Sequence, residues 1–167
     1  ANELRRDKAR DNDNFGVMLD TYGGFRDGYT FYATPLGAMG DAQVTGPATP
    51  NTDFNSVWDV RTGKFEGGWT IEIAIPFKSL RYHQGDGQVW GVQFRRTVRR
   101  TNETSFLTRV PASAGTGGLT HIYAAATLLG IEVPTSRNLE IKPYVIASAT
   151  TDKTVLPPRV RDADANG

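Results

Sequence analysis

The sequence predicts an all-β chain, an antiparallel β-sandwich with only a few short helical turns. Three observations predict it. In residues 68–75, Trp69, Ile71, Ile73 and Ile75 alternate with Thr70, Glu72 and Ala74, the period-two pattern of a half-buried strand, and Pro76 then removes a backbone donor and ends it. A second long strand, residues 88–99, follows a compact connection and alternates Trp90, Val92 and Phe94. Long amphipathic helical patterns are scarce throughout, which argues against an α/β architecture.

The remaining elements follow in chain order. Residues 15–23 place Phe15, Val17 and Leu19 on one face and end at Gly23-Gly24. Residues 28–35 place Tyr29, Phe31 and Ala33 on one face and Tyr32 on the other. The short polar connection between these two runs predicts a hairpin. Residues 40–55 concentrate Gly, Pro, Thr, Asn and Asp and read as a loop. A short strand is expected at 58–61 and a turn at 64–68. Beyond Arg100, residues 102–110 give a weaker strand and 111–121 a glycine-rich loop. Residues 122–131 fit either a short helix or an apolar strand, and periodicity alone does not choose. Residues 139–150 read as another strand, and 151–167 as a polar, proline-containing linker.

Composition narrows the function. With 167 residues, one domain with a real core is the default. Nineteen basic and 18 acidic residues leave a net charge of +1, which favours neither nucleic acid nor an anionic membrane surface. The arginine pairs at 5–6, 95–96 and 99–100 are diluted by nearby acids and read as solvated faces or ion pairs. The absence of cysteine removes disulfides, thiolate catalysis and thiolate-bound metals together. No stretch approaches the roughly 18 apolar residues of a membrane helix. The first fourteen residues are polar and charged, unlike a secretory signal.

Gly68-Trp69, Glu72, Ile75-Pro76-Phe77, Leu80-Arg81, Trp90-Gly91, Phe94 and Arg95 together resemble the family 9 carbohydrate-binding module. More narrowly, they are similar to the N-terminal module of large bacterial outer-membrane proteins that continue into a β-barrel domain of unknown function. The resemblance spans residues 6–144. It implies a sandwich module over residues 1–138 that lacks its first strands. Residues 139–167 would then be a strand and linker leading to a barrel domain outside the sequence given, so the chain is expected to be a fragment. The implied partners are a sugar or glycan, the protein's own barrel domain and, through it, the bacterial outer membrane. The module would face the periplasm or cell surface.

Sugar recognition in a sandwich needs flat aromatic faces for CH groups and planar polar groups for hydroxyls. Trp69 and Trp90 lie in phase with apolar stripes and are assigned to the core. Trp58, Tyr22 and Phe25 fall at strand ends or loops and are the candidate platforms. Glu72 and Arg95 lie opposite the apolar stripes of their strands. If those strands pair, the two would meet across the sheet as an ion pair, with orientation of a ligand as the alternative role.

Residues 11–16 open like a calcium loop, but Phe15 and Tyr22 occupy positions that need oxygen donors, which excludes an EF-hand. A looser structural calcium site of Asp11, Asp13 and Asp20 is what the resemblance adds. The plain reading is that these residues initiate the turn before a strand. No carboxylate spacing, histidine pair or GxSxG context gives a catalytic signature. The expectation is a non-catalytic carbohydrate-binding or accessory module. Its alternatives are a structural domain that caps a barrel without free ligand, and part of a glycan hydrolase.

Overall fold

A computed structural model describes residues 12–46 and 50–134. The fold is an all-β, antiparallel sandwich. Among the described residues, eight strands form it in chain order: β1 (Asn14–Asp20), β2 (Asp27–Ala33), β3 (Met39–Thr45), β4 (Asp59–Phe65), β5 (Gly68–Ala74), β6 (Gln88–Val98), β7 (Glu103–Phe106) and β8 (Ala126–Ile131). The larger sheet runs β3-β2-β1-β6-β7, with β8 also paired to β6. Strand β6 is long because it serves two partners along one edge. Its Arg95–Val98 half pairs with β7, and the half from Gln88 to Val92 pairs with β8. Strands β4 and β5 form a separate two-stranded ribbon, in which Glu72 opposes Arg61. The strand expected at residues 139–150 and the linker expected at 151–167 lie outside the described residues.

The alternation read from the sequence sorts the core. On the inner face of the large sheet, Leu19, Tyr29, Phe31, Ala33 and Val92 pack with Trp58, Leu80, Tyr82 and Trp90. The ribbon lays Val60, Ile71 and Ile73 against this cluster, and Ile75 and Phe77 extend it. Prolyl termination of β5 is followed by a 3-10 turn, Phe77–Ser79, which swings the chain from one sheet to the other.

The outer face of the large sheet is covered too. A 3-10 segment, Ala112–Thr120, with a break at Gly115, and a second 3-10 turn, Ile122–Ala124, lie over it. Met18, Val44, Leu119 and Ile122 are buried there as a second, smaller core. Gly16 admits this cover: a β-carbon at that position would stand 2.7 Å from a Leu119 methyl. Gln93 pins the cover to the sheet. Its carbonyl oxygen accepts the N–H groups of Leu107 (3.0 Å) and Thr108 (3.2 Å), and its Nε2 donates to Thr108 Oγ1 (2.5 Å) and the Ala124 carbonyl (3.3 Å).

Two boundaries differ from the sequence reading. The loop expected at 40–55 contains β3, and the ribbon runs through Phe65 and leaves only Glu66 and Gly67 for the turn. The undecided stretch at 122–131 is both things in succession, a helical turn and then β8. No helix among the described residues is long and apolar enough to cross a membrane.

Candidate functional site

The site is built on the β1–β2 turn, and the turn is built on Asp20. This carboxylate is fully buried at the end of β1. Its Oδ1 accepts the N–H groups of Tyr22 (3.1 Å) and Gly23 (2.9 Å), and its Oδ2 accepts that of Phe25 (2.7 Å). An Asp folding the chain back over its own carboxylate is a turn device, and here it satisfies three donors at once. Asp13 sits before the other end of β1, roughly 20 Å away at about 3.3 Å per residue. Its Oδ1 accepts the Arg99 N–H at 2.6 Å. Asp13 and Asp20 therefore cannot hold one ion, which corrects the expected calcium set; Asp11 lies outside the described residues. No group of three metal-ligating side chains occurs among the described residues.

The Asp20 turn forces Phe25 into the left-handed region, at φ 55°. A bulky residue there is strained by roughly 1–2 kcal/mol. The strain is not offset by burial, since 49% of Phe25 is exposed. Its ring borders a cavity of about 390 Å³ whose floor is Val44 and Ile122 of the second core. Tyr123, 63% exposed, borders it from the 3-10 turn, where Ile122 points down and Tyr123 out. His121 and Tyr123 hold each other, Nδ1 to Oη at 2.7 Å with ring centroids 5.4 Å apart. Arg26 and Thr120 complete the polar lining. The cavity thus combines two exposed aromatic faces with a guanidinium, an imidazole and a hydroxyl, the mixture that sugar recognition requires.

The other candidates lie elsewhere. Tyr22 packs edge-on against His83, with centroids 4.8 Å apart, and lines a different cavity of about 290 Å³ with Tyr29, Gln43 and Arg81. Burial pushes the Tyr29 phenol above its ordinary range, and its oxygen accepts the Arg81 N–H at 3.4 Å. Arg95 is buried on the outer face of the large sheet, beneath the cover. It donates from Nη1 to the Thr116 carbonyl (2.6 Å) and from Nη2 to Asn14 Oδ1 (2.9 Å). It lines a polar cavity of about 200 Å³ with Thr30, Tyr32 and Thr97.

Glu72 is exposed on the outer face of the ribbon, beside a shallow depression that Asp59 and Arg61 also line. Because β5 pairs with β4 and not with β6, the expected Glu72–Arg95 ion pair does not form. Trp58 requires a second correction. It is only 7% exposed and packs edge-to-face on Phe31 at 5.3 Å, inside the main core and away from any ligand face.

Sequence reasoning found Phe25 and missed Arg26, His121 and Tyr123. Tyr123 falls where helix and strand patterns were indistinguishable, and His121 closes the stretch read as a glycine-rich loop, so the outward direction of neither could be read. Arg26 carries no pattern of its own. No protein-family model matches this chain, and neither a curated protein nor a solved structure is significantly similar to it.

Proposed function

We propose that the chain is a non-catalytic module that binds a glycan between the β1–β2 turn and the 120–123 turn. The observation that carries the reading is Phe25. A glycine would occupy its φ of 55° without strain, and about half of the phenyl ring lies in water. Folding gains little from a phenylalanine there, whereas a sugar gains a flat apolar face beside Tyr123. The likeness of residues 68–96 to sugar-binding sandwiches supports the same reading. On that likeness we take the module to belong to a larger bacterial outer-membrane protein and to face the periplasm or cell surface.

The test is a glycan array followed by calorimetric titration of the hits. Each aromatic face contributes about 0.5–1.5 kcal/mol, so Phe25→Gly and Tyr123→Ala should each weaken binding roughly two- to tenfold. Phe25→Gly should keep its thermal midpoint, because relief of strain offsets the entropy a glycine adds to the unfolded chain. Array-wide silence at millimolar sugar, or affinities unchanged in both variants, would remove the reading.

A further inference from the structure

We infer that the glycan taken by the Phe25 cavity is acidic, carrying a carboxylate or a sulfate ester on the sugar that stacks there. This rests on the glycan reading of the cavity and adds the charge class of its ligand. Arg26 and His121 are the ionisable side chains that face the cavity from its two opposing turns, with the Tyr123 hydroxyl beside them. Among the described residues, no carboxylate lines it.

The two nearest acids in the chain are already directed elsewhere. Asp20 is closed around three backbone N–H groups. Asp27 accepts the Gly46 N–H at 3.2 Å and lines the separate cavity beside Tyr22. The Arg26 guanidinium has no hydrogen bond or ion pair among the described residues. A planar guanidinium presents paired donors that match the two oxygens of a carboxylate or sulfate, which a neutral hydroxyl cannot use. Its place beside two aromatic faces makes the site suited to a sugar ring lying on Phe25 and Tyr123 with its acidic substituent toward Arg26. The partly enclosed, apolar-floored setting over Val44 and Ile122 strengthens that contact relative to one in open water.

The test titrates the whole chain with two matched pairs, together with the neutral oligosaccharides of the array. One pair is an oligogalacturonate and its methyl ester; the other is a sulfated galactan oligosaccharide and its desulfated form. The acidic member of one pair should bind roughly tenfold tighter than its neutral counterpart, and the advantage should shrink with added salt. Arg26→Gln, at an exposed turn position, should fold normally and abolish that advantage, so that the acidic and neutral members of the pair bind alike. Which pair shows the preference identifies the acid as carboxylate or sulfate. Equal binding within both pairs, or a preference untouched by Arg26→Gln, would overturn the acidic assignment and leave a neutral-glycan site standing. Absence of binding to every acidic and neutral sugar would overturn both readings together.

Discussion

Trp58 carries its indole into the main core with its N–H buried and without a hydrogen-bond partner among the described residues. Such an N–H is costly to bury, by about 1–3 kcal/mol, so the ring must be retained for its volume and its edge-on contact with Phe31. Trp58→Ala should therefore destabilise the chain by about 3–5 kcal/mol through the cavity it leaves. Trp58→Phe should recover much of that loss, because it keeps a ring and deletes the orphaned donor. Chemical denaturation of the two variants checks the pair, and an Ala variant as stable as the parent would take Trp58 out of the core. Trp69 provides the contrast. It shares the inward phase of Ile71 and Ile73 but sits at the hairpin end of the ribbon, only half buried. Phase alone places a side chain on a face; the distance to the end of the strand decides whether anything covers it.

At the scale of elements, the cover over the large sheet depends on Gln93, whose amide reaches both Thr108 and the turn that carries Tyr123. Gln93→Leu leaves the Thr108 amide without its acceptor and removes the Gln93 bonds to the Leu107 N–H and the Ala124 carbonyl, which keep only the Phe94 carbonyl and the Thr108 hydroxyl. Hydrogen exchange at residues 108 and 121–124 should accelerate about tenfold or more, with glycan affinity falling although no residue touching the cavity has changed. Unchanged exchange would mean that the second core alone, Leu119 and Ile122, holds the cover. The strands read most fully from the sequence, β1, β2, β5 and β6, are those with an unbroken apolar alternation on one face, whereas β4 was read only as 58–61 and β7 as a weaker strand within 102–110. Strand β3 was hidden because Asp41 and Gln43 stand where apolar residues would be expected. Asp41 is tolerated there because its carboxylate accepts the Ser56 N–H (2.7 Å) and hydroxyl (3.0 Å). The polar outer face of β6, with Gln93, Arg95 and Thr97, looked like a solvent face for the same reason. Only the folded chain shows that residues 112–125 lie on top of it. Phe25 was legible as an aromatic in a turn; its partner Tyr123 arrives from about a hundred residues later, a pairing that local pattern does not encode.

The sandwich of the described residues is asymmetric: six strands on one side face a two-stranded ribbon on the other. A lone hairpin is marginal in water, and none of the residues of β4 or β5 is fully buried. The ribbon is held by Val60, Ile71 and Ile73 resting on the inner face, at one layer of contact. The large sheet, by contrast, is packed on both faces, by the ribbon and main core on one and by the 112–125 cover on the other. Stability should be distributed accordingly. Native-state hydrogen exchange should find the β4–β5 amides opening at a lower free energy than those of β1, β2 and the centre of β6, as a sub-global unit. The Phe25 cavity is attached to the large sheet and its cover, so a bound glycan should slow exchange in residues 20–27 and 120–124 and leave the ribbon's exchange unaltered. A ribbon as protected as β1 would show that the two sheets open together. A ribbon that gains protection with the glycan would show instead that the binding site draws its order from the main core between the sheets.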